Sequence, residues 1–346
     1  LRFDLTLNTR TAGIDQAGGH AFIKRLRVEQ SGVVLEDINS YNRLMGSIVL
    51  PCQSDNTHQN ERSMTEHVST AGTSQVVGAA TTQLQSILDM TDDAGGTVNA
   101  IGAYTNPATQ YQNAVPISFC IPLNSGILNN EKLLPLMLMS APLTIEIELA
   151  PSLEPVCWAT DATGTYTISN VRYIANLIEV GGDVAQQLRM VQEMSGGVLT
   201  LAGQTYRHFT GAITGGGTGD QIINVPARVK SMKSMFWSSQ GATGIAFGNY
   251  SVSYGGNMSL NNYQLKIGSV VYPPTPVNCG FGDGTNGTGG AGASKSEAIM
   301  ELAKAWGNVG SRNGLGQLSK LTCYSLESAQ PTTQGIVAYS PFGIDL

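Results

Sequence analysis

The chain has 346 residues, beyond the roughly 250–300 at which one hydrophobic core usually stops growing, so two domains are expected. Charged residues make up 13% of the sequence, against about 25% in typical soluble domains, and the net charge is −6. This charge provides no positive field for phosphate groups, which disfavours direct binding to nucleic acid. No apolar run approaches the roughly 18 residues of a membrane span, and the chain from Leu1 onward alternates like a strand rather than a signal peptide. A largely neutral polar surface is typical of a protein that packs against copies of itself.

Period-two alternation and short β-branched runs between Gly, Pro, Asn and Ser predict a mainly β protein. In Leu143–Leu149 the apolar side chains share one face, and Thr144, Glu146 and Glu148 take the other. The predicted strands are Phe3–Leu7, Ala21–Val28, Gly46–Leu50, Ile117–Leu123, Leu143–Leu149, Gly164–Val180, Val229–Trp237, Tyr263–Tyr272 and Leu318–Leu326.

Two short amphipathic helices are also predicted. The first begins at an Asp183 N-cap and ends at Gly196-Gly197, and the second follows a Ser294 or Ser296 cap and ends at Gly307. Each is expected to lie against the flank of a β domain or between neighbouring subunits.

An internal similarity links the two halves of the chain. Tyr41–Pro51 matches Tyr263–Pro273 without a gap, with identical residues at five of eleven positions and an offset of 222 residues. So long an offset predicts that a whole domain was copied in tandem, because solenoid repeats span only about 20–50 residues. Chance similarity of two strands is the alternative.

Two stretches carry a resemblance to a known family. Val115–Leu149 has a Pro-led apolar strand, a loop, the turn Leu134-Pro135-Leu136 and an alternating strand, and Asn262–Val277 has a strand followed by a Pro-rich loop. These stretches resemble the double jelly-roll major capsid proteins of the tectivirus and adenovirus lineage, which includes those of virophages and polinton-like viruses. The likeness covers about fifty residues, and it is a strand pattern rather than a catalytic signature.

The resemblance implies an all-β fold of two tandem eight-stranded jelly rolls with short accessory helices. The first jelly roll is expected over residues 1–180 and the second over residues 181–346. Three copies would form a pseudo-hexagonal tile of an icosahedral shell, so the implied partners are a homotrimer, neighbouring capsomers, penton and minor capsid proteins, and an internal membrane in some relatives. The implied location is the virion, assembled inside the host cell, and no catalytic residue, cofactor or metal is expected.

Motifs for nucleotide chemistry are weak. Gly282–Gly287 fits the letters of a dinucleotide fingerprint but lies in a Gly-rich run without a parallel βαβ pattern, so a surface loop is favoured. Ser294 stands where a phosphate loop needs its second glycine.

Other candidate residues favour structural interpretations. His58 and His67 flank Glu61 and Glu66 in a polar stretch that a cation could use, although a solvated loop is favoured. Glu146 and Glu148 resemble a carboxylate pair, but any half-buried strand has such an outer face. His20 and His208 are isolated, and the five cysteines (Cys52, Cys120, Cys157, Cys279 and Cys323) show no paired spacing, so reduced thiols are expected. Sequons at Asn249, Asn257 and Asn286 indicate exposed loops.

Two rival functions share this composition. A carbohydrate-binding or adhesive β-sandwich would need aromatic side chains on loops, and aromatic residues are 7% of the chain. An enzyme on a β scaffold would need convergent acid, base or metal-binding groups, which the spacing does not reveal.

Overall fold

The computed structural model describes residues 1–7, 13–15, 17–53, 65–66, 116–129, 134–139, 141–152, 154–157, 165–197, 203–213, 219–239, 252, 260–279, 296–309 and 341–346. Over these residues the protein consists mostly of strands with a few short helices, in agreement with the predicted mainly β class. Among the helices of this part of the chain, none is long and apolar enough to cross a bilayer.

Twelve strands are described, and each has an antiparallel partner. They are β1 (Arg2–Leu7), β2 (Gly13–Ile14), β3 (Ile23–Gln30), β4 (Val33–Asn39), β5 (Ile117–Cys120), β6 (Leu143–Leu149), β7 (Val156–Cys157), β8 (Tyr166–Arg172), β9 (Ser234–Trp237), β10 (Asn262–Ile267), β11 (Val270–Asn278) and β12 (Phe342–Asp345). The helices are α1 (Tyr41–Arg43), which continues as a π-helix over Leu44–Val49, then α2 (Leu50–Gln53), α3 (Gly182–Met194) and α4 (Ser296–Val309). Short 3-10 helices lie at Gly18–Phe22 and Leu136–Leu138.

The first half contains two three-stranded sheets, in the orders β5-β1-β8 and β4-β3-β6, and the two-stranded pair β2-β7. The strand pairs are nested along the chain, because β3 and β6 pair with each other and both lie between β1 and β8, which also pair. Apolar residues meet across these pairs, with Leu5 opposite Ile168 and Leu26 opposite Ile147. The pair β2-β7 lies between these two pairs along the chain, so three antiparallel pairs are nested.

The core lies between the apolar faces of these strands. Phe3 of β1 stacks on Phe119 of β5 at 5.1 Å between ring centroids, and Phe22 meets Tyr166 of β8 edge to face at 4.9 Å. Leu26 of β3 is fully buried in the same cluster. Alternation along the strands places these side chains on one face, and burial of each large one stabilises the fold by about 1.5–3 kcal/mol.

In the second half, β9 pairs with β12 and helix α4 packs on this ribbon. Trp306 of α4 meets Phe236 edge to face at 5.6 Å, and Trp237 stacks on Phe342 at 5.5 Å. The buried Tyr263 hydroxyl donates to the Gly343 carbonyl at 3.0 Å, which ties β10 to β12. Buried apolar residues from both halves belong to one hydrophobic cluster.

The predicted equivalence of Tyr41–Pro51 and Tyr263–Pro273 is wrong at the level of structure. Gly46 lies inside the π-helix, whereas Gly268 has φ +61° in the turn of the β10–β11 hairpin. The predicted strand Gly46–Leu50 is therefore helical. Tyr41, Met45 and Val49 are buried at intervals of four residues, which is a helical spacing. The β-branched residues of this run favour a strand and so hide that spacing in the sequence.

Other boundaries differ in informative ways. Tyr263–Tyr272, predicted as one strand, is the hairpin β10–β11, because Gly268 takes the left-handed conformation that a tight turn needs. Strand β8 covers only the first part of Gly164–Val180, and β9 only the last part of Val229–Trp237. The prediction for Leu318–Leu326 lies outside the described residues.

Both predicted helices are present. Helix α3 has Gly181 as its N-cap, so Asp183 lies in its first turn instead, and Gly196 and Gly197 follow its end with φ of +73° and +85°. Helix α4 begins at Ser296 and runs two residues past Gly307, to Val309. The assignment of domains to residues 1–180 and 181–346 stays a prediction.

Candidate functional site: buried polar clusters and an exposed apolar segment

A chain of polar side chains is enclosed in the first half. His20 and Tyr41 are completely buried, and Glu66 is 3% exposed. His20 Nε2 lies 2.9 Å from Glu66 Oε2, and His20 Nδ1 lies 3.4 Å from the Tyr41 hydroxyl. The backbone N–H of Asn124 donates to the Tyr41 oxygen at 2.9 Å, and that of Gly19 donates to the Glu66 carbonyl at 2.8 Å.

This pattern fits the His20 tautomer that carries its hydrogen on Nε2, which donates to Glu66 while Nδ1 accepts from Tyr41. Burial raises the pKa of the Tyr41 hydroxyl far above its ordinary value of 10.0, and the charges of Glu66 and Glu36 act in the same direction. The hydrogen bonds of this cluster join the 3-10 helix Gly18–Phe22, helix α1 and the chain at Glu66. Because His20, Tyr41 and Glu66 are buried, they present no surface to a substrate.

Sequence reasoning missed this cluster. The sequence predicts that Glu66 lies in a solvated loop that a cation could use, but its carboxylate is buried against His20. His20 and Glu66 lie 46 residues apart, with no periodic relationship that could link them. The sequence contains only a weak signal for this cluster. His20 follows Gly18-Gly19, and such glycines favour a tight turn that brings the backbone close to its neighbours.

A second buried carboxylate organises the loop after β5. Glu36 is 2% exposed and accepts hydrogen bonds from the Ser125 hydroxyl and from the backbone N–H of Gly126 at 2.9 Å. The Ser125 oxygen in turn accepts from the backbone N–H of Leu128 at 3.1 Å. Such a nest of donors is suited to an anion, and here the protein's own Glu36 occupies it.

Paired charges cover the outer face of the sheet β4-β3-β6. Arg25 binds Asp37 through two hydrogen bonds of 2.7 Å, and Arg27 Nη1 donates to Glu146 at 3.2 Å. Glu148 stands opposite Arg25 in the register of β3 and β6. Glu146 and Glu148 therefore face arginines on the neighbouring strand, which is the arrangement expected of an outer strand face.

The remaining candidate residues lie apart. The side chain of His208 is exposed, and its pKa is lowered by partial desolvation, followed by the charges of Arg43 and Lys24. The described residues contain no group of three or more His, Cys, Asp or Glu side chains that could hold a metal ion. Cys120 and Cys279 are free thiols, as the sequence predicts. The other candidates, namely His58, His67, Glu61, Gly282–Gly287, Ser294 and the sequon residues Asn249, Asn257 and Asn286, lie outside the described residues.

Residues 173–194, named here the apolar segment, form an exposed apolar feature of the described part of the chain. It follows β8 with residues 173–180, which form neither helix nor strand, and continues as helix α3, which has no buried residue. Nine large apolar residues in it are 39–88% exposed, including Leu177 at 77% and Met194 at 88%. Large exposed apolar surfaces on folded proteins often mark sites that bind a partner.

Comparisons with known proteins add no assignment, since no family model, no curated protein and no solved structure significantly matches the chain.

Proposed function

We propose that this protein is a self-assembling structural protein built on β-sheets. More specifically, we propose that it is a major capsid protein of the double jelly-roll class, a non-enzymatic subunit whose homotrimers tile an icosahedral virus shell. The observation that carries the proposal is the nested pairing of β1 with β8 around β3 with β6.

Nested antiparallel pairs are what a jelly roll requires. A long hairpin folds over itself so that outer strands pair in one sheet and inner strands pair in the facing sheet. The orders β5-β1-β8 and β4-β3-β6 follow this rule for the outer and inner pairs, with β5 occupying the other edge of β1. The packing of Phe22 on Tyr166 and the burial of Leu26 in the same cluster are consistent with two sheets that enclose one core.

Composition and charge placement support a lattice subunit. With charged residues at 13%, subunits can meet without removing many charges from water. Several of the charges are already paired within the sheet β4-β3-β6, as in Arg25 with Asp37. Neutral contacts of modest strength suffice in a shell, because many copies bind one another at once.

The evidence for the second jelly roll differs from the evidence for the first. The match between Tyr41–Pro51 and Tyr263–Pro273 no longer supports it, because Gly46 and Gly268 lie in unlike structures. The proposal of a second jelly roll rests on the length of the chain and on strands β9–β12. Neighbouring capsomers, penton and minor capsid proteins, an internal membrane and location in the virion are parts of the same proposal.

Electron microscopy of the full-length protein tests the proposal. We expect trimers with a pseudo-hexagonal outline that associate into flat or curved tiles at high protein concentration. Light scattering on the same samples measures the mass of the oligomers. A protein that stays monomeric under all assembly conditions, and forms no tile, would rule the capsid function out.

A carbohydrate-binding or adhesive β-sandwich is the alternative outcome. The aromatic rings of Trp237, Tyr263 and Phe342 pack on one another inside the fold and are not available for stacking on sugars. Binding of the purified monomer to a glycan array would nevertheless replace the capsid proposal with this one.

A further inference from the structure

Three polar side chains meet at one carboxylate group in the first half of the protein. Lys24 Nζ donates to Glu154 Oε1 at 2.5 Å, and Asn42 Nδ2 donates to Glu154 Oε2 at 2.6 Å. An amine and a carboxamide are therefore neighbours, each bound to a different oxygen of the same carboxylate. Together the three side chains supply a nucleophile, an acyl carbon and a group that can carry protons between them.

Three different elements hold these side chains in place. Lys24 lies in β3 at the point where the register between β3 and β6 shifts, and such an irregularity changes the direction of a side chain. Asn42 lies in helix α1. Glu154 follows β6 in a turn, where its backbone N–H donates to the Pro151 carbonyl at 2.9 Å. Because Lys24 and Glu154 are 130 residues apart, only the folded chain brings the three groups together.

The carboxamide is the most enclosed of the three groups. Asn42 is fully buried, whereas the side chains of Glu154 and Lys24 are 13% and 31% exposed. Burial of Asn42 keeps water away from its amide carbon, so that hydrolysis does not compete with attack by a neighbouring amine. The side of the cluster at Lys24 is open to solvent, which gives a small product a way out.

The orientation of the Asn42 amide suits attack by the amine. The backbone N–H of Arg43 donates to Asn42 Oδ1 at 2.9 Å, so the oxygen faces that donor and the nitrogen faces Glu154. A hydrogen-bond donor at Oδ1 stabilises the negative charge that develops on this oxygen when the amide carbon is attacked. The nitrogen that has to leave is the atom bound to Glu154.

We propose that Lys24 and Asn42 form an isopeptide bond within the chain, with Glu154 as the catalytic residue. Glu154 takes a proton from the Lys24 ammonium group, Nζ forms a bond to Asn42 Cγ, and the bond from Cγ to Nδ2 breaks. Of the three hydrogens of the ammonium group, one stays on the new amide and two pass through Glu154 to the departing nitrogen, which leaves as an ammonium ion. One amide replaces another, so the reaction needs no oxidant, reductant or further reactant, and Glu154 ends as a carboxylate.

The bond closes a covalent ring around the β3–β4 hairpin. It joins β3, the central strand of the sheet β4-β3-β6, to helix α1. Such a ring restricts the unfolded chain and thereby stabilises the folded one. The reaction occurs once in each chain and within one subunit, so this inference goes beyond the capsid proposal and does not depend on it.

Intact mass spectrometry of the denatured full-length protein is the first test. We expect the wild-type chain to be lighter than its sequence by the mass of one ammonia. Glu154→Gln and Lys24→Arg should have the full masses of their sequences, because the first lacks the proton carrier and the second lacks the amine. Glu301→Gln is the matched control, since Glu301 forms an ion pair with Lys304 in helix α4, and it should lose ammonia as the wild type does. Circular dichroism confirms that the variants are folded.

Peptide mapping is the second test, because an asparagine that cyclises to a succinimide also loses ammonia. Tandem mass spectrometry of a tryptic digest should find a branched peptide in which the Lys24 side chain is joined to Asn42. A wild-type chain that keeps its full mass after days of incubation, or that loses ammonia without giving the branched peptide, overturns the inference. A branched peptide that forms in E154Q as fast as in the wild type overturns the role of Glu154.

Discussion

The carboxylate of Asp15 accepts a hydrogen bond of 3.0 Å from the backbone N–H of Val252, which lies 237 residues further along the chain. Its other oxygen accepts from the backbone N–H of Ala17 at 3.0 Å, and Asp15 is 1% exposed. One buried side chain thus joins the start of the chain to its second half.

We expect Asp15→Ala to lower the free energy of unfolding by about 2–4 kcal/mol, because two buried N–H groups lose their acceptor. Urea denaturation followed by tryptophan fluorescence measures the change. Asp220→Ala removes an exposed carboxylate and serves as the control, with an expected change within about 0.5 kcal/mol. Equal effects of the two substitutions would contradict the importance of the Asp15 contact.

Two glycine substitutions should act in opposite directions. A methyl group at Gly19 would lie 2.7 Å from Ile121 Cγ2 and 2.9 Å from Phe119 Cδ1, so Gly19→Ala should destabilise the protein by about 1–3 kcal/mol. Gly307 is exposed within helix α4 and has open space around it, so Gly307→Ala should stabilise the protein by about 0.5–1 kcal/mol. Thermal unfolding of both variants tests the pair, and a higher melting temperature for G19A would show that the core around Phe119 is looser than described.

Asp4 should contribute a pH dependence to stability. Its carboxylate accepts from the Ser118 hydroxyl at 2.6 Å and from Asn170 Nδ2 at 2.8 Å, and these hydrogen bonds, Ser118 first, lower its pKa below the ordinary 3.8. A lowered folded-state pKa means that the stabilisation is present above the unfolded-state pKa and is lost as pH falls through the folded-state pKa. The wild-type advantage over Asp4→Asn should therefore be complete near neutral pH and shrink below about pH 4.

Denaturant titrations of the wild-type protein and D4N between about pH 2.5 and about pH 6 measure this difference. Ser118→Ala should reduce the pH-dependent part, since it removes the first contributor to the shift. Asp220→Asn is the control at an exposed position. A difference between the wild-type protein and D4N that stays constant down to the lowest pH would count against the Asp4 contacts.

Cysteine reactivity should differ sharply between two positions. Cys279 is fully buried, and burial followed by the charge of Glu297 raises the pKa of its thiol to about 12, whereas Cys120 is exposed. At about pH 8 only about one Cys279 in ten thousand would be a thiolate, so alkylation should reach Cys120 first and Cys279 only after unfolding. Iodoacetamide labelling with peptide mass spectrometry measures both rates. Comparable rates in the folded protein would disprove the enclosed position of Cys279.

Several elements could be predicted from sequence because their signal is local. Leu143–Leu149 alternates strictly and forms β6 with the same bounds, and the apolar stripe of Leu302 and Trp306 predicted helix α4. Prediction failed where two local signals conflicted. The β-branched side chains of residues 44–50 favour a strand, whereas the four-residue spacing of the buried side chains favours a helix, and the helix is what forms.

Among the candidate sites, too, some positions follow from a local sequence pattern and others do not. The outer position of Glu146 and Glu148 followed from alternation alone, and pairing then placed arginines opposite them. The contact of His20 with Glu66 joins residues that no periodic pattern relates, so it could not be foreseen. The exposure of the apolar segment could not be foreseen either, because an amphipathic helix has the same sequence pattern whether its apolar face is covered or exposed.

The order of residues by itself determined the mainly β character, the sparse charge and the positions of helices α3 and α4, since these follow from composition and from the period of apolar side chains. The tertiary structure alone decided which strands pair, that Gly46 and Gly268 are not equivalent, and that Asp15, Glu36 and Glu66 are buried. The physical reason is that periodicity acts over a few neighbouring residues, whereas burial and pairing depend on groups that meet only after the chain has folded.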